Sequence, residues 1–168
     1  HMQSPSGAPN RISKTLATQQ WQALHDAMAN CGLEIAVMPS LPDGDDMVFA
    51  ANPCLPFVGP TGRPGIIKSR MRHPGRRPEV AAAAAFFTRM GYASYELQNN
   101  ITAETAFEGM GDALWVPGKR LLCGGYGPRT DQRVYEEIAT LTSATVIGFQ
   151  LTNPRFYHLD TCLAMLDG

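Results

Sequence analysis

Apolar residues recur at helical spacing in the early part of the chain. One stripe at intervals of three and four positions consists of Ala17, Trp21, Leu24, Met28 and Cys31. Such a stripe predicts an amphipathic helix. Gly32 comes next and can adopt the left-handed conformation that commonly ends a helix. The apolar run at 33–38 then predicts a strand, which ends before Pro39.

The same order of helix, glycine or turn, and strand returns twice. A helix is predicted from Val80 to Met90, with Gly91 ending it and a strand at 92–98 behind it. Thr130 is predicted to cap a third helix, which is followed by a strand at 145–152. Strand pairs are predicted between these units, at 47–52 with 56–71 around the turn at 60–65, and at 112–116 with 121–124 around the turn at 117–120.

Repetition of strands, helix and returning strand at nearly constant spacing predicts a radial or stacked α/β array. We expect a polar leader at 1–12, in which His1 and Met2 are a tag remnant, and then one domain at 13–168. Its three modules are predicted at about 13–60, 61–110 and 111–168. A closed ring needs more modules than these three.

Charge argues against nucleic acid as a partner. The 168 residues carry a formal net charge of -1, and no basic face or long basic run is present. The densest basic group is Arg70, Arg72, Arg76 and Arg77. Because Pro74 and Gly75 interrupt it, a solvated loop is the favoured interpretation. No apolar run has the length of a membrane span, so no membrane partner is expected.

The four cysteines, Cys31, Cys54, Cys123 and Cys162, are widely separated. No pair has the close spacing of a zinc or redox motif. Each lies in an apolar run, which favours small buried residues in a reducing compartment such as the cytoplasm. No metal or organic cofactor is expected.

Two polar motifs interrupt the predicted strands in the first two-thirds of the chain. Asn52 ends the predicted strand at 47–52, although taken alone this motif favours a simple turn before Pro53. Glu108 and Asp112 flank two glycines, which allow a tight backbone and bring both carboxylates toward one point. A surface loop is the alternative for that second motif.

Two further motifs lie in the last third of the chain. Arg129 follows a glycine-rich strand, but Pro128 removes an amide donor and the glycine spacing is not that of a dinucleotide site. At the start of a helix, Arg129 suits an incoming carboxylate, with an ordinary salt bridge as the alternative. His158 and Asp160 alternate along a predicted strand and would share a face. A buried structural histidine is the alternative there.

Together the motifs resemble a known superfamily. The segment 107–112 reads Phe-Glu-Gly-Met-Gly-Asp, 125–130 reads Gly-Tyr-Gly-Pro-Arg-Thr, and 154–162 reads Pro-Arg-Phe-Tyr-His-Leu-Asp-Thr-Cys. With Asp-Met-Val-Phe-Ala-Ala-Asn at 46–52, they resemble the amidinotransferase/dimethylarginine dimethylaminohydrolase superfamily, the penteins, which includes arginine deiminase. The resemblance implies a fivefold pseudosymmetric α/β-propeller of ββαβ modules, of which about three are present here.

The resemblance also implies a chemistry, in which a cysteine thiolate attacks the guanidinium carbon and an amidino-enzyme intermediate forms. His158 then resembles the general acid/base, and Glu108 the carboxylate that grips the guanidinium. Asn52 stands where many relatives have Asp, and Asp112 and Asp160 match polar positions of the substrate site. Arg129 resembles the clamp for the substrate's α-carboxylate.

The nucleophilic cysteine of the family lies well beyond the His-Leu-Asp motif, and the four cysteines of this chain are interpreted as structural. Two functions remain open. The chain is either part of a guanidino-group hydrolase that acts on arginine or methylated arginine, or a non-catalytic pseudoenzyme that binds an arginine-like ligand or a protein. A purely structural module is a weaker third possibility. Unpaired strand edges predict association, as a homo-oligomer or with a complementary C-terminal segment.

Overall fold

The computed structural model of the protein describes residues 12–42, 44, 46–99 and 101–166. The chain divides into two compact units, one ending at Met38 and the other beginning at Pro39. The leader and tag remnant expected at 1–12 lie outside the described residues, apart from Ile12.

In the first unit, the predicted helix is confirmed and the predicted strand is wrong. Helix α1 spans Lys14–Asn30, and the Ser13 side chain accepts a hydrogen bond from the Leu16 N–H at 3.3 Å. Gly32, with a φ of 82°, follows its end. The segment 33–38 has no regular secondary structure. A strand needs a neighbour for its backbone N–H and C=O groups, and none of the described strands pairs with this segment.

The second unit begins with a three-stranded sheet. Strand β1 (Cys54–Val58) runs antiparallel to β2 (Pro64–Lys68). Helix α2 (Arg77–Arg89) then crosses to β3 (Ala93–Tyr95), which is parallel to β2. Gly91, with a φ of 87°, provides the turn between α2 and β3, as its position in the sequence predicts.

A second sheet repeats this order. Strand β4 (Ala113–Trp115) is antiparallel to β5 (Leu121–Tyr126), and α3 (Val134–Thr142) crosses to β6 (Thr145–Gln150), parallel to β5. Short 3₁₀ helices occupy Pro74–Arg76, Gly109–Gly111 and Leu159–Thr161. The order β-β-α-β therefore occurs twice, which agrees with the predicted α/β class. The count of about three modules is not confirmed, and the described strands do not close into a ring.

The segment 47–52 forms turns rather than the predicted strand. Its carbonyl groups are engaged in other ways. Arg76 Nη2 donates to the carbonyl oxygens of Asp46 at 3.3 Å and Phe49 at 3.1 Å, and the Asn52 N–H also donates to the Phe49 carbonyl. The Arg76 side chain therefore holds one carbonyl of this segment, that of Phe49, and none of the described strands pairs with it.

The core of the second unit joins both sheets to α3. Its fully buried members include Leu55, Ile67, Phe107, Leu122 and Ile138. Phe107 also fixes the backbone, because the Arg70 N–H donates to its carbonyl at 2.8 Å and its own N–H donates to the Arg70 carbonyl at 3.1 Å. The residue that follows Phe107 is thereby held at the edge of the core.

All four cysteines are unpaired thiols, but only two match the predicted burial. Cys54 on β1 and Cys123 on β5 are buried, whereas Cys31 and Cys162 are exposed. The exposed pair lie in turns just past a helix end, where the apolar neighbours in sequence do not surround them. Among the described residues, no helix combines the length and the apolar character needed to cross a membrane.

Candidate active site

Glu108 lies at the centre of a buried polar cluster. Its side chain is fully buried, and its Oε2 lies 2.7 Å from His158 Nε2 and 3.2 Å from Arg129 Nη1. The other oxygen, Oε1, accepts a hydrogen bond from the backbone N–H of Arg72 at 3.1 Å. Both carboxylate oxygens are therefore engaged by the protein itself.

Electrostatics keep this buried carboxylate ionised. Burial alone raises the pKa of Glu108, because it removes hydration from the charged form. The hydrogen bond from His158 and the positive charge of Arg129 together outweigh burial and hold the pKa below its ordinary value. A negative charge beside the His158 imidazole therefore persists through the neutral pH range.

Asp112 connects two further segments of the chain to this polar cluster. Its Oδ2 accepts a hydrogen bond from the Thr130 hydroxyl at 2.7 Å, and its Oδ1 accepts one from the Leu159 N–H at 3.0 Å. Burial raises the pKa of Asp112 to about 6, with Thr130, His158 and Leu159 opposing that rise. The carboxylate thereby links the loop after β5 to the residue that follows His158.

Thr130 does not cap a helix, contrary to the sequence-based prediction. Helix α3 begins four residues later, at Val134, with Arg133 at the N-cap position. The Thr130 hydroxyl instead donates to Asp112 and accepts from the Glu108 N–H at 3.1 Å. It therefore connects the two carboxylate residues of the glycine motif. We call Glu108, Asp112, Arg129, Thr130 and His158 the Glu108 cluster.

His158 and Asp160 do not alternate along a strand, so that prediction is also wrong. His158 is 5% exposed, whereas Asp160 is exposed in the 3₁₀ helix that follows it. Asp112 takes the Leu159 N–H, and the His158 carbonyl accepts from both the N–H and the hydroxyl of Thr161. These bonds curl the chain. Partial burial raises the pKa of Asp160, and the charge of His158 opposes the rise.

Arg129 combines an ion pair with an aromatic contact. Besides its bond to Glu108, its guanidinium carbon lies 4.9 Å from the centroid of the Tyr157 ring. Only one of its nitrogens, Nη1, has a hydrogen-bond partner among the described side chains and backbone. The salt bridge considered in the sequence analysis is present, and the remaining N–H groups are still available as donors.

Asn52 is buried at 4% exposure beside two residues that the sequence analysis did not assign to the site. Arg76, expected in a solvated loop, is buried at 6% exposure and forms an ion pair with the fully buried Glu79, with Nη2 and Oε2 2.8 Å apart. Arg76 Nη1 donates to Asn52 Oδ1 at 3.0 Å. Opposite charges three residues apart around Pro78 at a helix start were the available signal.

The arrangement follows strand direction. Arg129 comes after β5 and His158 comes after β6, and these strands are parallel, so their carboxyl ends lie at one edge of the sheet. A cavity of about 830 Å³ lies along 68–72 and 103–106, and neither Glu108 nor His158 lines it. The candidate site therefore lies outside this cavity and consists of the Glu108 cluster and the exposed Asp160.

The cysteines of the second unit give no activated thiol within its core. Burial raises the pKa of Cys54 to about 12, and burial also raises the pKa of Cys123. Both thiols therefore stay protonated near neutral pH. Cys162 is exposed, and its Sγ lies 3.5 Å from the Leu159 carbonyl oxygen. The described residues also contain no group of three or more His, Cys, Asp or Glu side chains suited to a metal ion.

Solved structures with the same fold define the class of protein. The N-terminal domain of ArgZ, a cyanobacterial arginine dihydrolase, in a cysteine-to-serine variant bound to substrate, matches with a TM-score of 0.85 and 32% identity. That match covers 100% of this chain and 59% of the ArgZ chain. A dimethylarginine dimethylaminohydrolase adduct with S-methyl-L-thiocitrulline matches with a TM-score of 0.68 at 21% identity, covering 89% of this chain and 55% of that one. The fold is that of the pentein enzymes.

A family model described as N,N dimethylarginine dimethylhydrolase, eukaryotic, matches residues 1–167. The chain belongs to this dimethylarginine dimethylaminohydrolase family, which confirms the resemblance seen in the motifs.

Curated relatives are longer than this chain. The N(G),N(G)-dimethylarginine dimethylaminohydrolase of Mycobacterium tuberculosis is 37% identical over 156 residues, which are 93% of this chain and 47% of that protein. ArgZ of Synechocystis, a bifunctional arginine dihydrolase/ornithine cyclodeaminase, is 34% identical over 162 residues, 96% of this chain and 22% of that protein. The chain spans about half the length of the first relative and about a fifth of the second.

Proposed function

We propose that this chain supplies the proton-transfer and substrate-binding part of a hydrolase that acts on the guanidino group of arginine or a methylated arginine. The observation that carries the proposal is the contact of His158 Nε2 with Glu108 Oε2 at 2.7 Å inside a buried cluster that also holds Arg129. The names of the M. tuberculosis relative and of ArgZ support the same substrate class.

His158 is the proposed general acid and base. A histidine titrates near neutral pH and can both protonate a leaving amine and accept a proton from water, an effect worth roughly 10²–10⁴ in rate. Glu108 contacts Nε2, so Nδ1 is the nitrogen left for proton transfer. The ionised Glu108 carboxylate fixes the orientation of the ring.

The guanidinium of the substrate needs a carboxylate with available oxygens, because its N–H groups form a planar fork of donors. The oxygens of Glu108 and of Asp112 are engaged by protein donors. We therefore assign Glu108 and Asp112 to positioning and the direct grip to Asp160, whose carboxylate has no hydrogen-bond donor among the described residues. The remaining N–H groups of Arg129 would hold the substrate's α-carboxylate.

The reaction requires a thiolate from outside the described cysteines. Its sulfur adds to the guanidinium carbon, and the C–N bond to the departing amine breaks as that amine takes a proton from His158. Water then adds to the same carbon, gives a proton to His158, and the C–S bond breaks. For arginine the net change is arginine plus water to citrulline plus ammonia.

The first test is ligand titration. Calorimetry of the chain with L-arginine and asymmetric dimethylarginine is expected to show binding. The Arg129→Ala variant should bind at least about tenfold more weakly, because a charge-assisted hydrogen bond contributes roughly 1.5–3 kcal/mol. Arg89→Ala, which removes an exposed arginine at the end of α2, is the matched control and should bind like the parent. Equal affinity in the parent and Arg129→Ala would refute the assignment.

Turnover separates the two candidate functions. Release of citrulline that depends on His158 supports the hydrolase. Arginine binding without citrulline release, by the chain alone and in its assembled form, favours the non-catalytic binding protein instead. A parallel Cys162→Ala variant is expected to leave both measurements unchanged. Loss of citrulline release in that variant would identify Cys162 as the nucleophile.

A complete five-module propeller is the proposed assembly, of which this chain forms a part. The two β-β-α-β units support it, as does the state of β6, which lies at the edge of its sheet with Ile147 45% exposed and Phe149 39% exposed. An unpaired strand edge with apolar side chains favours pairing with another strand.

The association test is light scattering coupled to size exclusion. We expect a mass above 18.2 kDa for the parent chain, or a complex with a complementary C-terminal segment. Phe149→Lys should weaken that association by placing a charge at the edge. Met90→Lys, at an exposed position just past the end of helix α2 and on no strand edge, is the matched control. A strictly monomeric parent that binds no such segment would overturn the assembly.

A further inference from the structure

Arg76 and Glu79 form a buried ion pair that joins the start of α2 to the loop at 46–52. Arg76 Nε lies 3.2 and 3.1 Å from the two Glu79 oxygens, and Nη2 lies 2.8 Å from Oε2. The remaining donors of the guanidinium go to the loop. Nη1 donates to Asn52 Oδ1, and Nη2 donates to the carbonyls of Asp46 and Phe49. The planar guanidinium therefore fixes the loop and the helix in one geometry.

This contact determines which way the Asn52 amide is turned. The guanidinium carries only donors, so the amide must present its oxygen to Arg76. With the amide reversed, its NH₂ group would oppose the Arg76 N–H groups, donor against donor, beside a fully formed ion pair. The oxygen is therefore held on the Arg76 side.

The opposite atom of the amide is left unused. Asn52 Nδ2 is buried, and no described residue accepts a hydrogen bond from it. Gly111 shows where it points, because a Cβ at that position would overlap Nδ2 and lie 3.3 Å from His158 Cδ2. Glycine at 111 thus lets the amide nitrogen and the histidine ring approach the same point of backbone. A buried donor without an acceptor is unfavourable unless something supplies one.

We propose that Arg76, held by Glu79, is a positioning residue that turns Asn52 Nδ2 toward the space left free by Gly111, beside the His158 ring, as a hydrogen-bond donor, so that this position binds an acceptor oxygen of the ligand. The inference rests on the proposed function and adds a role for Asn52 to it. Asn52 would not accept an N–H from the substrate guanidinium. It would donate to the oxygen of the attacking water, which is the same atom that becomes the ureido oxygen of citrulline.

The structural part is tested by NMR without any ligand. The side-chain NH₂ signals of Asn52 are assigned by their loss in Asn52→Ala. Arg76→Lys keeps the charge but lacks the planar fork of donors that spans Glu79 and Asn52, so it should shift these signals and speed their exchange with solvent. Arg89→Lys makes the same replacement on the exposed end of α2 and should leave them unchanged. Unchanged Asn52 signals in a folded Arg76→Lys protein would overturn the positioning role.

The functional part is tested by comparing two ligands. Asn52→Ala and Arg76→Lys should each weaken citrulline binding about fivefold or more, with a smaller effect on arginine. In the double variant the loss should equal that of Asn52→Ala alone, because Arg76 acts through Asn52. Additive losses, or equal losses for the two ligands, would refute the donor role.

The outcomes distinguish this inference from the proposed function. If the chain binds neither arginine nor citrulline, the proposed function fails and the NMR result still decides the orientation of the amide. If Arg76→Lys does not fold, Glu79→Gln is the substitute. It retains Arg76 but removes the charge that holds it, so the Asn52 signals should move in the same direction by a smaller amount. Unmoved signals there would contradict the proposal.

Discussion

The Phe107→Ala variant is expected to lose about 3–5 kcal/mol of unfolding free energy, the usual cost of removing a large aromatic side chain from a packed core. Phe107 is fully buried and lies in the core cluster that joins both sheets to α3. The loss combines the lost burial of the ring with the cavity that remains. Urea unfolding followed by circular dichroism measures it.

The matched control is Phe156→Ala. Phe156 is 40% exposed, so its replacement should change the unfolding free energy by less than about 1 kcal/mol. Because Phe107 precedes Glu108, its loss should also weaken arginine binding in protein that remains folded. A free energy of unfolding for Phe107→Ala that equals that of Phe156→Ala, or that is unchanged from the parent, would contradict the described core.

The second large effect is a pH dependence that originates at Asp112. Its pKa is raised to about 6 in the folded protein, against about 4 in an unfolded chain. Between these values the folded state binds the proton more tightly than the unfolded state does. The stabilisation from protonated Asp112 is therefore fully present below about pH 4 and is lost as the pH rises through about 6, with a total of about 3 kcal/mol.

Asp112→Asn removes this titration. The unfolding free energy of the variant minus that of the parent should increase by about 2 kcal/mol between pH 4 and pH 7. Asp131→Asn is the control, since the Arg133 hydrogen bond lowers the pKa of Asp131 to about 2 and partial burial opposes it. Its difference from the parent should stay nearly constant between pH 5 and 7. A constant difference for Asp112→Asn over pH 4–7 would show that Asp112 is not protonated near pH 6.

Local signals predicted those elements that depend on neighbours in sequence. Helix α1 follows from apolar spacing and α2 from the signals at its ends, and Gly32 and Gly91 end them as expected. The segment 33–38 has a strand-like composition, but strand formation depends on a distant partner, which sequence pattern alone does not specify. The segment 47–52 fails for a related reason, because its Phe49 carbonyl accepts from the Arg76 side chain rather than from a neighbouring strand.

In the candidate site, too, the sequence identified local motifs but not the contacts between distant segments. Motif recognition selected Glu108, Arg129 and His158, and the structure brings these three side chains into contact. It did not reveal that Glu108 has both oxygens engaged by the protein. It also assigned Arg76 to solvent, since burial of an arginine depends on a tertiary partner, here Glu79 and Asn52. The shape of the chain at 158–162 was missed because it depends on Asp112.

The loops after β5 and β6 carry the polar side chains, while the sheets themselves hold the apolar residues. Arg129 pairs with the buried Glu108, so a neutral residue in its place would leave that carboxylate with one cation fewer and would lower the free energy of unfolding as well as remove a ligand contact. Asp160 is exposed, so its replacement should alter the ligand that is accepted at little cost in folding. A lineage built on this frame is therefore expected to retain Arg129 and to change its ligand through exposed positions such as 160.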